Sequence, residues 1–120
     1  KIFMDIKEKL KKIVSALDSK KAENIEVLGI TNLTVLADYF VIANGTSTTH
    51  TKTLADEVEY QLSQTGTEPA RKEGHNGSNW IVLDYSDIIV HVFYKETREF
   101  YQLERLWADG EHVDISDMLS

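Results

Sequence analysis

Residues 80–94 constrain the fold more than any other part of this 120-residue chain. Two apolar runs, 80–83 and 88–93, are joined by the polar residues Asp84, Ser86 and Asp87. Short β-branched and aromatic runs bounded by turn formers are typical of strands, so this stretch predicts a β-hairpin. Both alternating faces of the second run are largely apolar, which indicates a strand near the middle of a covered sheet.

The rest of the chain alternates helical and strand patterns around this hairpin. Apolar spacing at i, i+3 and i+4 predicts a helix over 6–17 that Asp5 would cap, a second helix that Ser47 or Thr48 would cap and Gly66 would close, and a last helix over 96–107. Apolar runs predict strands over 25–30 and 39–43, and residues 65–79 are the longest candidate loop. The order α-β-β-α-β-β-α predicts an α/β, α+β-like fold with a mixed sheet flanked by helices. We expect a right-handed crossover from the strand ending at Ala43 to the strand at Trp80.

Length and composition predict one domain over residues 1–120. Lys1, Ile2 and Phe3 precede Met4 and are either expression-derived or native. Residues 108–120 form an acidic tail that we expect to be loosely attached. The chain has no cysteine, which excludes disulfides and thiolate metal sites and fits a reducing compartment; we expect the cytoplasm. No apolar run is long enough to cross a membrane.

The formal net charge of −7, from 20 acidic and 13 basic residues, argues against a surface that follows nucleic-acid phosphates. The basic residues that do cluster alternate with acids on the first predicted helix and its exit, which favours a solvated helix face: Lys7, Lys9, Lys11, Lys12, Lys20 and Lys21. We therefore predict no direct nucleic-acid site. The charge favours a basic partner or a small molecule.

Two places offer chemistry that an enzyme could use. Gly45, Thr46 and Ser47 at a strand-to-helix turn would suit an anion, although the same residues also make a good helix start. Asp84 and Asp87 are the only candidate carboxylate pair, and their spacing of three does not present both to one metal from a strand face. A nucleotidyltransferase site is therefore disfavoured.

The four histidines, at positions 50, 75, 91 and 112, share no metal-ligand spacing. His91 on a central strand is more often a packed core residue than a ligand. Ser47, His50 and Asp56 form a triad only on paper, because no Gly-x-Ser-x-Gly elbow is present. From the sequence we predict no catalytic residue, no metal site and no cofactor.

Several motifs together resemble the Iojap family of ribosomal silencing factors. They are Asp38-Tyr-Phe-Val-Ile-Ala-Asn-Gly-Thr-Ser47, His50, residues 54–56, Glu73-Gly74, and residues 80–87, 90–93 and 100–107. The resemblance covers residues 38–107 in one collinear order. Two positions depart from it: Thr49 stands where the family commonly has Arg, and Ser86 stands where it commonly has Gly.

The resemblance implies a function without catalysis. Family members bind the large ribosomal subunit through its ribosomal protein fourteen, block joining of the small subunit and lower translation when nutrients are scarce. The family fold is similar to a nucleotidyltransferase core without the catalytic groups. A small nucleotide-using enzyme of that fold is the alternative left open.

The same hairpin supplies the predicted contact with the ribosome. Trp80 and Tyr85, at a strand end and in a turn, are the expected aromatic anchors, and acids would suit a basic ribosomal protein. The predicted acidic residues are Glu73, Asp84, Asp87, Glu99 and Glu104. The alternative is that Trp80 closes the core beneath the last helix.

A homodimer is also expected, mainly from the resemblance. The half-polar strand 25–30 gives weaker support as a sheet edge at which two copies could meet. A monomer with this edge guarded by Glu23 and Glu26 is the alternative.

Overall fold

A computed structural model describes residues 5–31, 37–74, 79–95 and 110–119. Its elements are α1 (Ile6–Ser19), β1 (Glu23–Gly29), β2 (Tyr39–Gly45), α2 (Thr48–Ser63), β3 (Arg71–Glu73), β4 (Trp80–Asp84), β5 (Ile88–Tyr94) and β6 (Glu111–His112). The helix predicted over 96–107 lies outside the described residues.

The strands form one mixed sheet in the order β3-β4-β5-β2-β1-β6. The α+β architecture with a mixed sheet is therefore confirmed, and the hairpin strand β5 lies in the interior of the sheet. β2 pairs parallel with β5, whereas β4 pairs antiparallel with β5. The expected crossover partner at Trp80 was thus wrong: the chain passes through α2, β3 and β4 before it returns beside β2 at Ile88.

The sheet has two differently covered faces. α1 and α2 pack on one, which we call the helix face, where Val41, Val90 and Val92 join the apolar sides of both helices in one core. Because side chains alternate along a strand, Phe40, Ile42 and Phe93 point the other way and form a smaller cluster on what we call the second face. Burial on both faces explains the near-continuous apolar sequence of β5.

Local capping accounts for where both helices begin. The carboxylate of Asp5 accepts a hydrogen bond from Lys7 N at 3.1 Å, and Ser47 Oγ accepts one from His50 N at 3.0 Å. These contacts satisfy amides that have no partner within the first helical turn. Just beyond α2, Gly66 takes a φ of +82°, a conformation that a glycine adopts without strain.

Two short strands were not predicted. β3 lies within the expected loop 65–79 and pairs with β4, and β6 lies in the acidic tail and pairs with β1 at Leu28 and Gly29. Val113, Ile115 and Met118 then pack against the helix-face core, so the expectation of a loosely attached tail is wrong for residues 110–119. β6 also removes part of the sheet edge that was expected along 25–30.

Candidate partner-binding surface

Trp80 begins β4 and lies on the second face, packed against the cluster there and half-buried. Its ring stacks on Phe93, with centroids 5.2 Å apart, and on His91, with centroids 5.8 Å apart. Its indole Nε1 donates a hydrogen bond to His91 Nδ1 at 3.1 Å. The indole is thus both part of a small aromatic core and partly accessible.

The pairing of β3 with β4 places charged side chains beside Trp80. Arg71 lies opposite Asp84, and Glu73 lies opposite Val82. Directly opposed residues of antiparallel strands share a face, and β4 alternates, so all four lie on the side of the sheet that carries Trp80. We call Arg71, Glu73, Trp80, Val82 and Asp84 the β3–β4 surface.

The charges on this surface are of both signs. Arg71 and Glu73 are exposed and Asp84 is half-buried. An Arg71 nitrogen lies 3.6 Å from Asp84 Oδ2, while Asp84 Oδ1 accepts the backbone N–H of Ser86 at 2.8 Å. The carboxylate of Asp84 therefore already has contacts within the chain, and Glu73 is the more accessible acid. Sequence reasoning missed Arg71 and Val82, although the alternation of Trp80, Val82 and Asp84 was a usable signal for Val82.

Tyr85 does not belong to the β3–β4 surface. It is 5% exposed and lies in the helix-face core, because it continues the inward alternation of Ile81 and Leu83. Burial, and then the charges of Glu59 and Glu68, raise the pKa of its hydroxyl well above the usual range. The expectation that a turn position would leave this aromatic ring accessible is wrong.

Asp87 has a structural partner on α1. Both of its carboxylate oxygens accept hydrogen bonds from Lys9 Nζ, at 3.0 and 2.8 Å. Its backbone oxygen also accepts from Asp38 N and Tyr39 N. Asp87 therefore ties the hairpin turn to α1 and β2, at the opposite end of β4 from Trp80. The other two predicted acids, Glu99 and Glu104, lie outside the described residues.

Polar groups in the turn over Gly45, Thr46 and Ser47 form hydrogen bonds within the protein. Thr46 N donates to His50 Nδ1 at 2.9 Å, and Ser47 caps α2. A Cβ on Gly45 would meet Thr51, with its backbone nitrogen at 2.6 Å and its Cα at 2.8 Å. The glycine therefore serves the close approach of α2 to β2. These contacts favour the helix-start interpretation over an anion site.

Within the described ranges, no group of three or more His, Asp or Glu side chains could hold a metal ion. No helix in the same ranges is long and apolar enough to cross a membrane.

Comparison with known proteins identifies the family. The sequence profile described as "Ribosomal silencing factor during starvation" matches residues 4–120. The chain belongs to this family. The ribosomal silencing factor RsfS of Halalkalibacterium halodurans is 35% identical over 117 residues, covering 98% of this chain and all of the relative. The ribosomal silencing factor RsfS of Bacillus subtilis is 36% identical over 112 residues, covering 93% of this chain and 95% of the relative.

A solved structure supports the same conclusion about the fold. A crystal structure of a protein from Chromobacterium violaceum superimposes with a TM-score of 0.84 at 32% identity, covering 94% of this chain and 93% of the other. The family description and the names of the two relatives describe silencing factors rather than enzymes. Membership of the silencing factor family implies a role in ribosome-associated regulation of translation.

Proposed function

We propose that this chain binds the large ribosomal subunit through its ribosomal protein fourteen and sterically blocks joining of the small subunit. It acts as a binding protein without catalysis, in the cytoplasm, and lowers translation under nutrient limitation. Membership of the silencing factor family supports this role. The net charge of −7 supports a basic partner protein.

The single observation that carries the contact site is the position of Trp80. Trp80 lies at the start of β4 and is half-buried. One part of its indole packs against the cluster on the second face, and another part is accessible to a partner. Glu73 is exposed and Val82 is half-buried on the same face. An aromatic anchor with adjacent apolar area and an acidic neighbour is the anatomy of a binding hot spot for a basic protein.

The proposed contact surface therefore differs in its residues from the one predicted from the sequence. Trp80, Val82, Glu73 and Asp84 remain in it, and Arg71 joins them. Tyr85 is left out because its ring is in the core, and the carboxylate of Asp87 is held by Lys9. Contributions from Glu99 and Glu104 stay predictions.

Co-sedimentation with purified large subunits tests this surface. Trp80→Ala should weaken binding about tenfold or more, since a buried anchor contributes on the order of 2 kcal/mol. Tyr60→Ala is the matched control, because Tyr60 is a 57% exposed aromatic residue on α2, which packs on the other face of the sheet. Equal binding by the parent and a folded Trp80→Ala variant would rule the surface out.

Charge reversal tests the electrostatic part separately. Glu73→Lys should slow association with large subunits, most visibly at low ionic strength, because exposed charges act mainly through screened long-range attraction. Glu111→Lys makes the same change at the opposite edge of the sheet, in β6. Equal slowing by both variants would indicate a net-charge effect rather than a local contact.

A second copy of the chain is a further proposed partner. β3 is an exposed edge strand of three residues, and a homodimer could form there or elsewhere on the protein. Light scattering at micromolar concentration should give about twice the 13.7 kDa of one chain. A single species at the mass of one chain would contradict the dimer.

The alternative function is a small nucleotide-using enzyme. Titration calorimetry with ATP, CTP and Mg²⁺ separates it from the silencing role. We expect no heat of binding, since the amide of Thr46 and the hydroxyl of Ser47 in this turn are engaged within the protein. Saturable nucleotide binding without co-sedimentation would favour the enzyme.

A further inference from the structure

His91 occupies an unusual position for a polar residue. It lies on the central strand β5, is buried, and is surrounded by rings on the second face. Phe40 and His91 make a T-shaped contact with centroids 4.7 Å apart, and Trp80 and Phe93 stack against His91. A phenylalanine could make ring contacts of these kinds, so packing alone does not require a histidine here.

The hydrogen bond to Trp80 determines the tautomer of His91. An indole N–H can only donate, so Nδ1 of His91 must be the unprotonated acceptor and Nε2 must carry the proton. Nε2 is buried and has no hydrogen-bond partner within the described part of the chain. The histidine thus leaves one donor unsatisfied in the core, while its other nitrogen serves Trp80.

Burial also keeps this acceptor available at neutral pH. Desolvation lowers the pKa of His91 from 6.5 to about 4, so the ring stays neutral and Nδ1 keeps its lone pair. What the histidine supplies, and a phenylalanine could not, is a fixed acceptor that orients the indole ring of Trp80.

We propose that His91 is a positioning residue, which holds the indole of Trp80 in the orientation that the basic partner protein contacts. The inference rests on the proposed function of the β3–β4 surface. Without the hydrogen bond, the indole at the strand end would sample more rotamers, and binding would have to restrict them. His91 itself need not touch the partner.

Two single variants remove the hydrogen bond from opposite sides. His91→Phe removes the acceptor and keeps a ring, and Trp80→Phe removes the donor and keeps a ring. Each should weaken co-sedimentation with large subunits about threefold to tenfold, the range expected for one side chain that loses its preorganisation. In the double variant, His91→Phe should add nothing to the effect of Trp80→Phe, because the bond is already absent.

Two readouts separate positioning from a merely structural role. The midpoint of urea unfolding of His91→Phe should be no lower than that of the parent, because removal of the unsatisfied buried Nε2 donor offsets the loss of the hydrogen bond from the half-buried indole of Trp80. In a Trp107→Phe background, the remaining indole N–H proton signal of Trp80 should move upfield when His91 is replaced by Phe. Weakened binding with undiminished stability and a shifted indole signal would support positioning.

Three results would overturn the inference, and they distinguish it from failure of the proposed function. If Trp80→Ala weakens binding but His91→Phe and Trp80→Phe do not, the surface stands and the positioning role is wrong. Additive losses in the double variant would show that His91 acts independently of Trp80. If Trp80→Ala itself binds like the parent, the proposed surface fails and the inference fails with it. Should His91→Phe not fold, His91→Leu, which also lacks the acceptor and leaves the Trp80 ring unchanged, takes its place in each comparison.

Discussion

His50 on α2 contacts the carboxyl end of α1 through Lys20, with His50 Nε2 lying 2.7 Å from the backbone oxygen of Lys20. The other ring nitrogen, Nδ1, accepts the backbone N–H of Thr46 at 2.9 Å. Nε2 therefore carries the proton and donates a hydrogen bond to the backbone carbonyl of Lys20. One neutral imidazole thus joins the start of α2 to the end of α1, which gives this histidine a structural role.

Replacing His50 with Ala should lower the free energy of unfolding by about 1–2 kcal/mol, because two hydrogen bonds are lost, a local one to Thr46 and one to Lys20 that joins α2 to the end of α1. Urea denaturation followed by circular dichroism measures the change. Thr53→Ala is the matched control, since Thr53 is exposed on the same helix. A His50→Ala variant with the stability of the parent would show that the imidazole contacts are replaced by water without cost.

Tyr85 should respond differently to loss of its hydroxyl and loss of its ring. The hydroxyl is buried without a hydrogen-bond partner in the described ranges. Tyr85→Phe should therefore be neutral or raise stability by about 1 kcal/mol, whereas Tyr85→Ala should cost about 3–5 kcal/mol through the cavity it leaves. Thermal and urea unfolding of both variants measure this. A large loss of stability in Tyr85→Phe would reveal an unrecognised partner of the hydroxyl.

Ser86 carries backbone strain. Its φ is +75°, in the left-handed region that favours glycine, between Tyr85 and Asp87 in the hairpin turn. Ser86→Gly should raise the free energy of unfolding by about 0.5–1 kcal/mol, after the greater freedom of glycine in the unfolded chain is deducted. Ser86→Ala keeps the Cβ and should give no gain. Equal stability of the parent and Ser86→Gly would show that the turn tolerates a side chain without strain.

His91 should make stability depend on pH. Its pKa is lowered by burial to about 4 in the folded protein, below the unfolded value of 6.5. The ring is neutral in both the folded and the unfolded state above about pH 6.5, and the free energy of unfolding falls by about 3 kcal/mol in total as the pH drops toward 4, because the unfolded chain binds a proton that the buried ring does not. Subtracting the unfolding free energy of His91→Phe from that of the parent at each pH isolates this contribution. A difference that is constant between pH 7 and 4 would contradict it.

The amino-acid sequence by itself determined the elements whose signals are local. The period-2 apolar runs of residues 80–94 identified both hairpin strands, and burial on both faces identified β5 as an interior strand. Helical spacing and the caps Asp5 and Ser47 located the first turns of α1 and α2. These features succeed because side-chain direction and end-capping depend on residues only a few positions apart.

Part of the candidate site could be predicted in the same way. The position of Trp80 at the start of a strand followed from the hairpin pattern. Glu73 was predicted as an acid near Trp80, but its strand was not predicted, since that strand carries no apolar alternation. β3 and β6 are short and polar, and they exist because their backbone groups pair with an edge already formed by β4 and β1.

Only the tertiary structure decided which side chains share a surface. Tyr85 turned out to be core because the helices cover its face of the sheet, while Trp80 points to the other face. Asp87 meets Lys9 across 78 positions of sequence, and the parallel pairing of β2 with β5 spans α2, β3 and β4. Such contacts depend on how separate elements pack, and a pattern that repeats every two or 3.6 residues carries no information about a partner that distant.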